Sequence, residues 1–273
     1  MSRPWQDTNP TWLTAQYGNA RPHADRIRLH TVCSQDPRGW YSLLFDQLRQ
    51  RTPADAYVFE LGCGSGELWK ENLPRIPTEW KLHLTDIFPG MLELAKRHLR
   101  DFRNARFELI DGNDPLPFPS DRYDAAVANH MLYHLISVSR TIKEIHRIVK
   151  KNGIFIATTT GPNHMARLFE IVRRFEPRFP ERTITPRTFD TINGATLLRK
   201  EFTRVERTDC LDTLKIKEEH AQLAVDYIYS WHDARAVLPE ERRTDLLTFF
   251  KDLIRMHGPL LIEKEQAIFL ATK

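Results

Sequence analysis

Between residues 58 and 69 an apolar run ends in an acid, and three glycines come next at alternate positions: Val58-Phe59-Glu60-Leu61-Gly62-Cys63-Gly64-Ser65-Gly66-Glu67-Leu68-Trp69. This pattern predicts a buried parallel strand that turns sharply into a helix. Glycines have no Cβ, so they permit unusual backbone angles and let a ligand lie against the main chain. Many nucleotide-binding α/β folds share such a loop, and a tight turn with no ligand is the plainer alternative. The pattern of residues downstream of the loop decides between them.

After Tyr57–Leu61 the spacing predicts strands over residues 80–86, 105–111, 123–129 and 154–158, alternating with helices. The helices are Gly66 to about residue 72, Pro89 to 99, and 136–149, ended by Asn152-Gly153. Strands and helices alternating at this length imply a parallel sheet covered on both faces, with right-handed crossovers. In open sheets of this kind ligands bind beyond the carboxyl ends of the strands, where strand order reverses. Gly62, Asp86, Asp111 and Asn129 all fall at such ends. The amides and dipole at the start of the helix after Gly66 are expected to face the ligand.

The flanking parts are less regular. Residues 1–50 read as a helical flap or cap containing Trp12 and Tyr17, then a short helix with Ile27 and little else apolar, a segment of the kind that rarely makes a core, then a helix over 39–51. Residues 51–160 read as the ligand-binding core. Residues 161–273 hold a helix over 165–175, a proline- and arginine-rich surface excursion over 176–187, and a short helix over 195–201. Two further strands over 205–216 and 262–272, the latter with a break near Lys264-Glu265-Gln266, are separated by helices over 218–231 and 240–257. Those two helices read as a cap over the pocket. His146 and Arg147 read as solvated helix positions. The whole is expected to form one compact domain.

The core motifs resemble those of the class I methyltransferases that use S-adenosylmethionine. Residues 60–66 look like the first motif, 84–92 (Leu-Thr-Asp-Ile-Phe-Pro-Gly-Met-Leu) like the second, and 111–119 with Tyr123-Asp124 like the third. The turn Ala128-Asn129-His130-Met131-Leu132-Tyr133-His134 is similar to that of small-molecule methyltransferases related to the quinone-biosynthesis enzymes. The resemblance covers roughly residues 55–160. It implies a Rossmann-like, doubly wound, seven-stranded and mostly parallel sheet with a reversed edge strand, supplied by the two C-terminal strands, plus helical cap elements. It implies S-adenosylmethionine as cofactor, S-adenosylhomocysteine as product and a small-molecule acceptor.

By that resemblance Gly62, Gly64 and Gly66, with Cys63 filling space, approach the methionine part of the cofactor, and Glu60 meets its amino group. Asp86 accepts both ribose hydroxyls, which suits two carboxylate oxygens. Ile87 and Met91 pack near the adenine, and Asp111 accepts from its amino group beside Gly112 and Asn113. Asn129 and His130 close the site near the sulfonium. A base is needed only if the acceptor carries a proton at neutral pH, and His134, Tyr133 and Tyr17 are the candidates.

Other classes are weighed against this. A nicotinamide-dependent oxidoreductase shares the strand, loop and acid, but its third glycine or alanine falls where this chain has Glu67. Enzymes that methylate exocyclic base nitrogens often carry Asn/Asp-Pro-Pro-Tyr after the fourth strand, and here Asn129 is followed by His130-Met131. RNA or protein methylation is therefore the lesser reading. The balance of 40 basic and 36 acidic residues, net +4, does not demand nucleic acid. Cys33, Cys63 and Cys210 are far apart and show no metal spacing, so no metal and a reducing compartment are expected. His130 and His134, four apart, lack a third ligand. A cytoplasmic protein with no membrane or nucleic-acid partner, monomeric or homodimeric, is the expectation.

Overall fold

The computed structural model describes residues 11, 14, 20–179 and 188–273. Contacts divide the chain into two compact units. One comprises Met1–Pro37, Pro162–Thr185 and Cys210–Glu265; the other comprises Arg38–Gly161, Pro186–Asp209 and Gln266–Lys273.

In chain order the strands are β1 (Tyr57–Leu61), β2 (Lys81–Asp86), β3 (Ala105–Leu109), β4 (Tyr123–Ala128), β5 (Val149–Thr160), β6 (Arg204–Ile216) and β7 (Leu260–Thr272). They form one seven-stranded sheet in the order β3-β2-β1-β4-β5-β7-β6. Pairs β1·β2, β1·β4, β2·β3 and β4·β5 are parallel, whereas β5·β7 is antiparallel. The mostly parallel sheet with its reversed C-terminal strand is thus present. Strand order reverses between β1 and β4, and that is where a doubly wound sheet opens a crevice at its carboxyl edge. β1 and β4 bury nearly every residue, as strands covered on both faces must.

Within the sheet-bearing unit the helices are α2 (Trp40–Arg49), α3 (Glu67–Glu71), α4 (Pro89–His98), α5 (Val138–Ile148) and α7 (Gly194–Leu198). α5 shows why these helices dock: Val138, Ile142, Ile145 and Ile148 recur at helical spacing and are all buried. Each such side chain contributes about 1.5–3 kcal/mol on leaving water. The core joins them to Phe59, Leu61, Tyr123, Phe155 and Phe269.

The other unit is largely helical, with α1 (Ala20–Cys33), α6 (Ala166–Phe175), α8 (Ala221–Tyr229), α9 (His232–Val237) and α10 (Arg243–His257). Its separate core gathers Leu29, Leu168, Val172, Leu214, Ala224, Ile228 and Phe250. Lys264 and Asp212, with side chains 6% and 10% exposed, form an ion pair at 2.9 Å in this unit. Among the described residues no helix is long and apolar enough to cross a membrane.

Four readings need correction. Residues 20–33 do join a core, through Leu29 and Cys33, both wholly or almost wholly buried. Asn152-Gly153 does not end a helix; α5 stops at Ile148, and Val149 already pairs with Tyr123 before a register shift at Tyr123/Ala125. Asn152, at φ 63, lies inside the strand at that irregularity. Of the surface excursion expected over 176–187, Glu176 and Phe179 are buried and Pro177 and Arg178 exposed, and residues 180–187 lie outside the described residues. β7 runs unbroken through Lys264-Glu265-Gln266.

Candidate functional site

The strand-end turns that the sequence singles out come together in the sheet-bearing unit. Gly62 has φ 70, a left-handed conformation that favours glycine. A Cβ placed there would lie 3.0 Å from the Cβ and Cγ of Met131. The turn after β1 therefore packs directly on the turn after β4. Gly112 repeats the arrangement: a Cβ there would meet Leu135 at 3.0 Å and Leu61 at 3.2 Å. Cys63 N–H donates to Thr85 O at 2.8 Å, and Ile110 N–H to Asp86 O at 3.0 Å, so backbone bonds tie successive turns together.

Asp86 ends β2 almost wholly buried. Its Oδ2 accepts from Gly64 N–H at 2.8 Å, and its Oδ1 accepts from Phe88 N–H at 2.9 Å. The Ile87 amide also reaches this carboxyl, so about one of a carboxylate's roughly four acceptor positions remains. Burial raises this carboxyl above the usual range, and the Phe88 and Gly64 amides pull against the rise. The acid thus fastens the glycine turn through Gly64 and keeps some acceptor capacity of its own. Ile87, next to it, is 42% exposed and offers apolar surface; Met91, on α4, is buried.

Glu60, the last-but-one residue of β1, is 2% exposed. Trp69 Nε1–H donates to its Oε2 at 2.5 Å. Burial pushes the carboxyl up to about 8; the Trp69 bond opposes this and nearby Asp86 adds to it. Cys63 is buried, and desolvation with the charges of Asp86 and Glu60 drives its thiol well above the usual range. It stays protonated and acts as a small filler, not a nucleophile. The helix after Gly66 is only five residues long, so its dipole is small and the expected dipole contribution shrinks with it.

Asp111 Oδ1 accepts from Asn113 N–H at 2.8 Å and from Asn113 Nδ2 at 2.9 Å. Its Oδ2 keeps its acceptor positions among the described residues. Asn113 Oδ1 in turn accepts from Ile136 N–H at 2.8 Å. Asn113 is engaged as a brace between Asp111 and the loop before α5. Thr141 Oγ1 donates to Gly112 O at 2.8 Å and fixes the same turn.

Asn129 Oδ1 accepts from Trp40 Nε1–H at 3.1 Å and from Thr158 Oγ1–H at 2.8 Å. Thr158 Oγ1 accepts from His130 N–H at 2.9 Å. His130 holds φ 53, uncommon for a residue with a Cβ. Its ring stacks on Trp40 with centroids 4.9 Å apart, and its Nε2 lies 2.9 Å from Gln266 Nε2. Tyr133 and His134 sit on the 3-10 turn Leu132–His134, rings edge to face at 4.4 Å. Tyr17 lies outside the described residues. Among those residues no group of His, Cys, Asp or Glu gathers to hold a metal.

Sequence reasoning missed Trp40, Trp69, Thr158 and Gln266. Trp40 and Trp69 fall within stretches expected to be helical, yet each indole N–H reaches a candidate site residue, Asn129 and Glu60. Gln266 lies in the last strand, far away in sequence. The one available signal was the polar pair Thr158 and Asn129 at the ends of neighbouring strands. Arg147 is also not merely solvated: it donates to Phe118 O at 2.6 Å and Leu116 O at 2.9 Å, holding the proline-rich loop.

Residues 59–157 match the family described as methyltransferase domain. A ubiquinone/menaquinone biosynthesis C-methyltransferase of Coxiella burnetii is 30% identical over 122 residues, 44% of this chain and 48% of that protein. A malonyl-[acyl-carrier protein] O-methyltransferase of Legionella pneumophila is 27% identical over 123 residues, 45% of this chain and 42% of that protein. The chain thus spans about half the length, or less, of these curated relatives. A solved phosphoethanolamine N-methyltransferase 2 of Haemonchus contortus, in complex with S-adenosyl-L-methionine, superposes with a TM-score of 0.58 at 13% identity, covering 96% of this chain and 59% of that one. At that identity the likeness speaks for the fold alone. Strand order, glycine turn and matched residues agree, and residues 59–157 are a class I S-adenosylmethionine-dependent methyltransferase domain, homologous to the quinone-biosynthesis methyltransferases.

Proposed function

We propose that this protein transfers the methyl group of S-adenosylmethionine to a small-molecule acceptor. The observation that carries the reading is the grip of Asp86 on Gly64: one buried acid shapes the glycine turn and still has acceptor capacity left. The left-handed turn at Gly62, with no side chain of its own, fits a ligand pressed against the main chain. When bound, the donor supplies an activated methyl on a sulfonium, which leaves little covalent chemistry to the protein.

The chain's own part is to orient and to exclude water. In this reading Asp86 holds the ribose hydroxyls and Asp111 Oδ2 accepts from the adenine amino group. Ile87 covers one side of the base, and Glu60 faces the ammonium of the methionine arm. Asn129 and His130, braced by Trp40, Thr158 and Gln266, border the reacting end. The homology to a protein named for quinone biosynthesis supports a small organic acceptor.

Calorimetric titration with S-adenosylhomocysteine tests the binding half, and transfer of tritium from methyl-labelled donor to a panel of quinols, phenols and amines tests the chemistry. Micromolar binding and label in at least one acceptor are expected. No heat at millimolar product would overturn the reading.

A further inference from the structure

Glu60 is a carboxyl with almost no surface. It is 2% exposed, and among the described residues Trp69 Nε1–H is the donor that reaches it. A carboxylate has about four acceptor sites, and leaving it charged with a single neutral donor in a dry place is costly. The negative charge of Asp86, at the end of β2, makes this worse. Tyr41, on α2, is a phenol that burial and the charges of Glu67, Glu60 and Glu71 keep protonated. Cys63, in the turn, is likewise held as a neutral thiol. The bases on the helices that follow have other partners: Lys70 pairs with Glu67 at 3.1 Å, and His98 bonds Ser65 O at 2.8 Å beside Glu67.

We propose that Glu60 is a charge-selective residue of the donor site: it is protonated before the ligand arrives and gives that proton to solvent when the ligand's ammonium takes its place. No bond other than O–H breaks, and the positive charge that leaves as a proton is replaced by the ammonium. The inference rests on the donor-binding reading above and deepens it. Its direction follows from linkage. Burial holds the Glu60 carboxyl up at about 8, and a cation beside it lowers that value. Between the two values, binding releases a proton, so affinity rises with pH and levels off above the upper one. A ligand of the same shape without the ammonium releases none and gains nothing from rising pH.

Calorimetry on the intact protein tests this with S-adenosylhomocysteine as probe, titrated at pH 7 in phosphate and in Tris. The heats in the two buffers are expected to differ by close to one proton's worth of buffer ionisation, and the affinity to rise several-fold from pH 6 to pH 7.5. Glu60→Gln should abolish both effects. 5′-methylthioadenosine, which lacks the ammonium, should bind with heats equal in the two buffers. If the Gln variant does not fold, the wild-type buffer pair and the two probes still decide. Binding of S-adenosylhomocysteine with buffer-independent heat overturns the proton exchange and leaves the donor site standing. Absence of binding in every buffer overturns both.

Discussion

Trp40 and Asn129 are joined by a 3.1 Å hydrogen bond from the indole Nε1 to the amide Oδ1, eighty-nine residues apart in the chain. The bond ties the first turn of α2 to the turn after β4. The same indole stacks on His130, so one side chain orders two residues of the turn after β4. Trp40→Phe keeps an aromatic ring and removes the donor. It should cost about 1 kcal/mol of stability and weaken S-adenosylhomocysteine several-fold. Thermal melts and calorimetry on the same sample check both.

Asp86 carries a larger share. Removing the carboxylate leaves Gly64 N–H and Phe88 N–H without their acceptor and takes away the oxygens expected to meet the ribose. Hydrogen bonds to charged groups are worth about 1.5–3 kcal/mol each, so Asp86→Ala should weaken product binding by roughly tenfold to a hundredfold. Asp86→Asn, which keeps one acceptor oxygen, should fall between. Equal affinity in all three proteins would contradict the assigned role.

Gly62→Ala tests the packing of two turns. The substitution meets a φ of 70 and Met131 atoms at 3.0 Å at once. The left-handed conformation alone costs an ordinary residue about 1–2 kcal/mol, and the Met131 clash adds to it. Product binding should be lost well below the temperature at which the protein unfolds, as read by calorimetry beside circular dichroism.

Much of this was legible because the fold writes itself at strand ends. β1, β2 and β4 each stop within a residue or two of an acid, a glycine or Asn129, since a parallel strand must release its chain into a turn at the crevice. What escaped depended on long-range partners. Hydrophobic spacing tells which face of α2 is buried, but not that the Trp40 N–H finds Asn129. The pair Asn152-Gly153 carries a turn signal wherever it stands, and here it serves an irregularity inside β5 because Val149 already pairs with Tyr123. Arg147 looks solvated by its neighbours in sequence, and only the fold brings Leu116 O and Phe118 O within its reach.

In the helical unit Lys264 and Asp212 predict a pH response. Burial works against the charged Asp212, but the Ser34 hydroxyl and the Lys264 ammonium outweigh it and hold its carboxyl below the usual range. A carboxyl lowered by folding lends stability above its unfolded value, about 3.9, and loses it as pH falls toward the folded one. Asp212→Asn strands a buried ammonium and should cost about 3–5 kcal/mol at neutral pH. The gap between variant and wild type should narrow as pH drops below about 4 in urea unfolding. A constant gap would mean that Asp212 does not titrate with the pair.

A crystal structure of the protein with S-adenosylhomocysteine is the most direct measurement. The account predicts the ribose hydroxyls on the Asp86 carboxylate, the adenine amino group on Asp111 Oδ2, and the homocysteine arm over Gly62 toward Glu60. Product bound elsewhere, or density absent from the turns after β1 and β2 at saturating product, would contradict it.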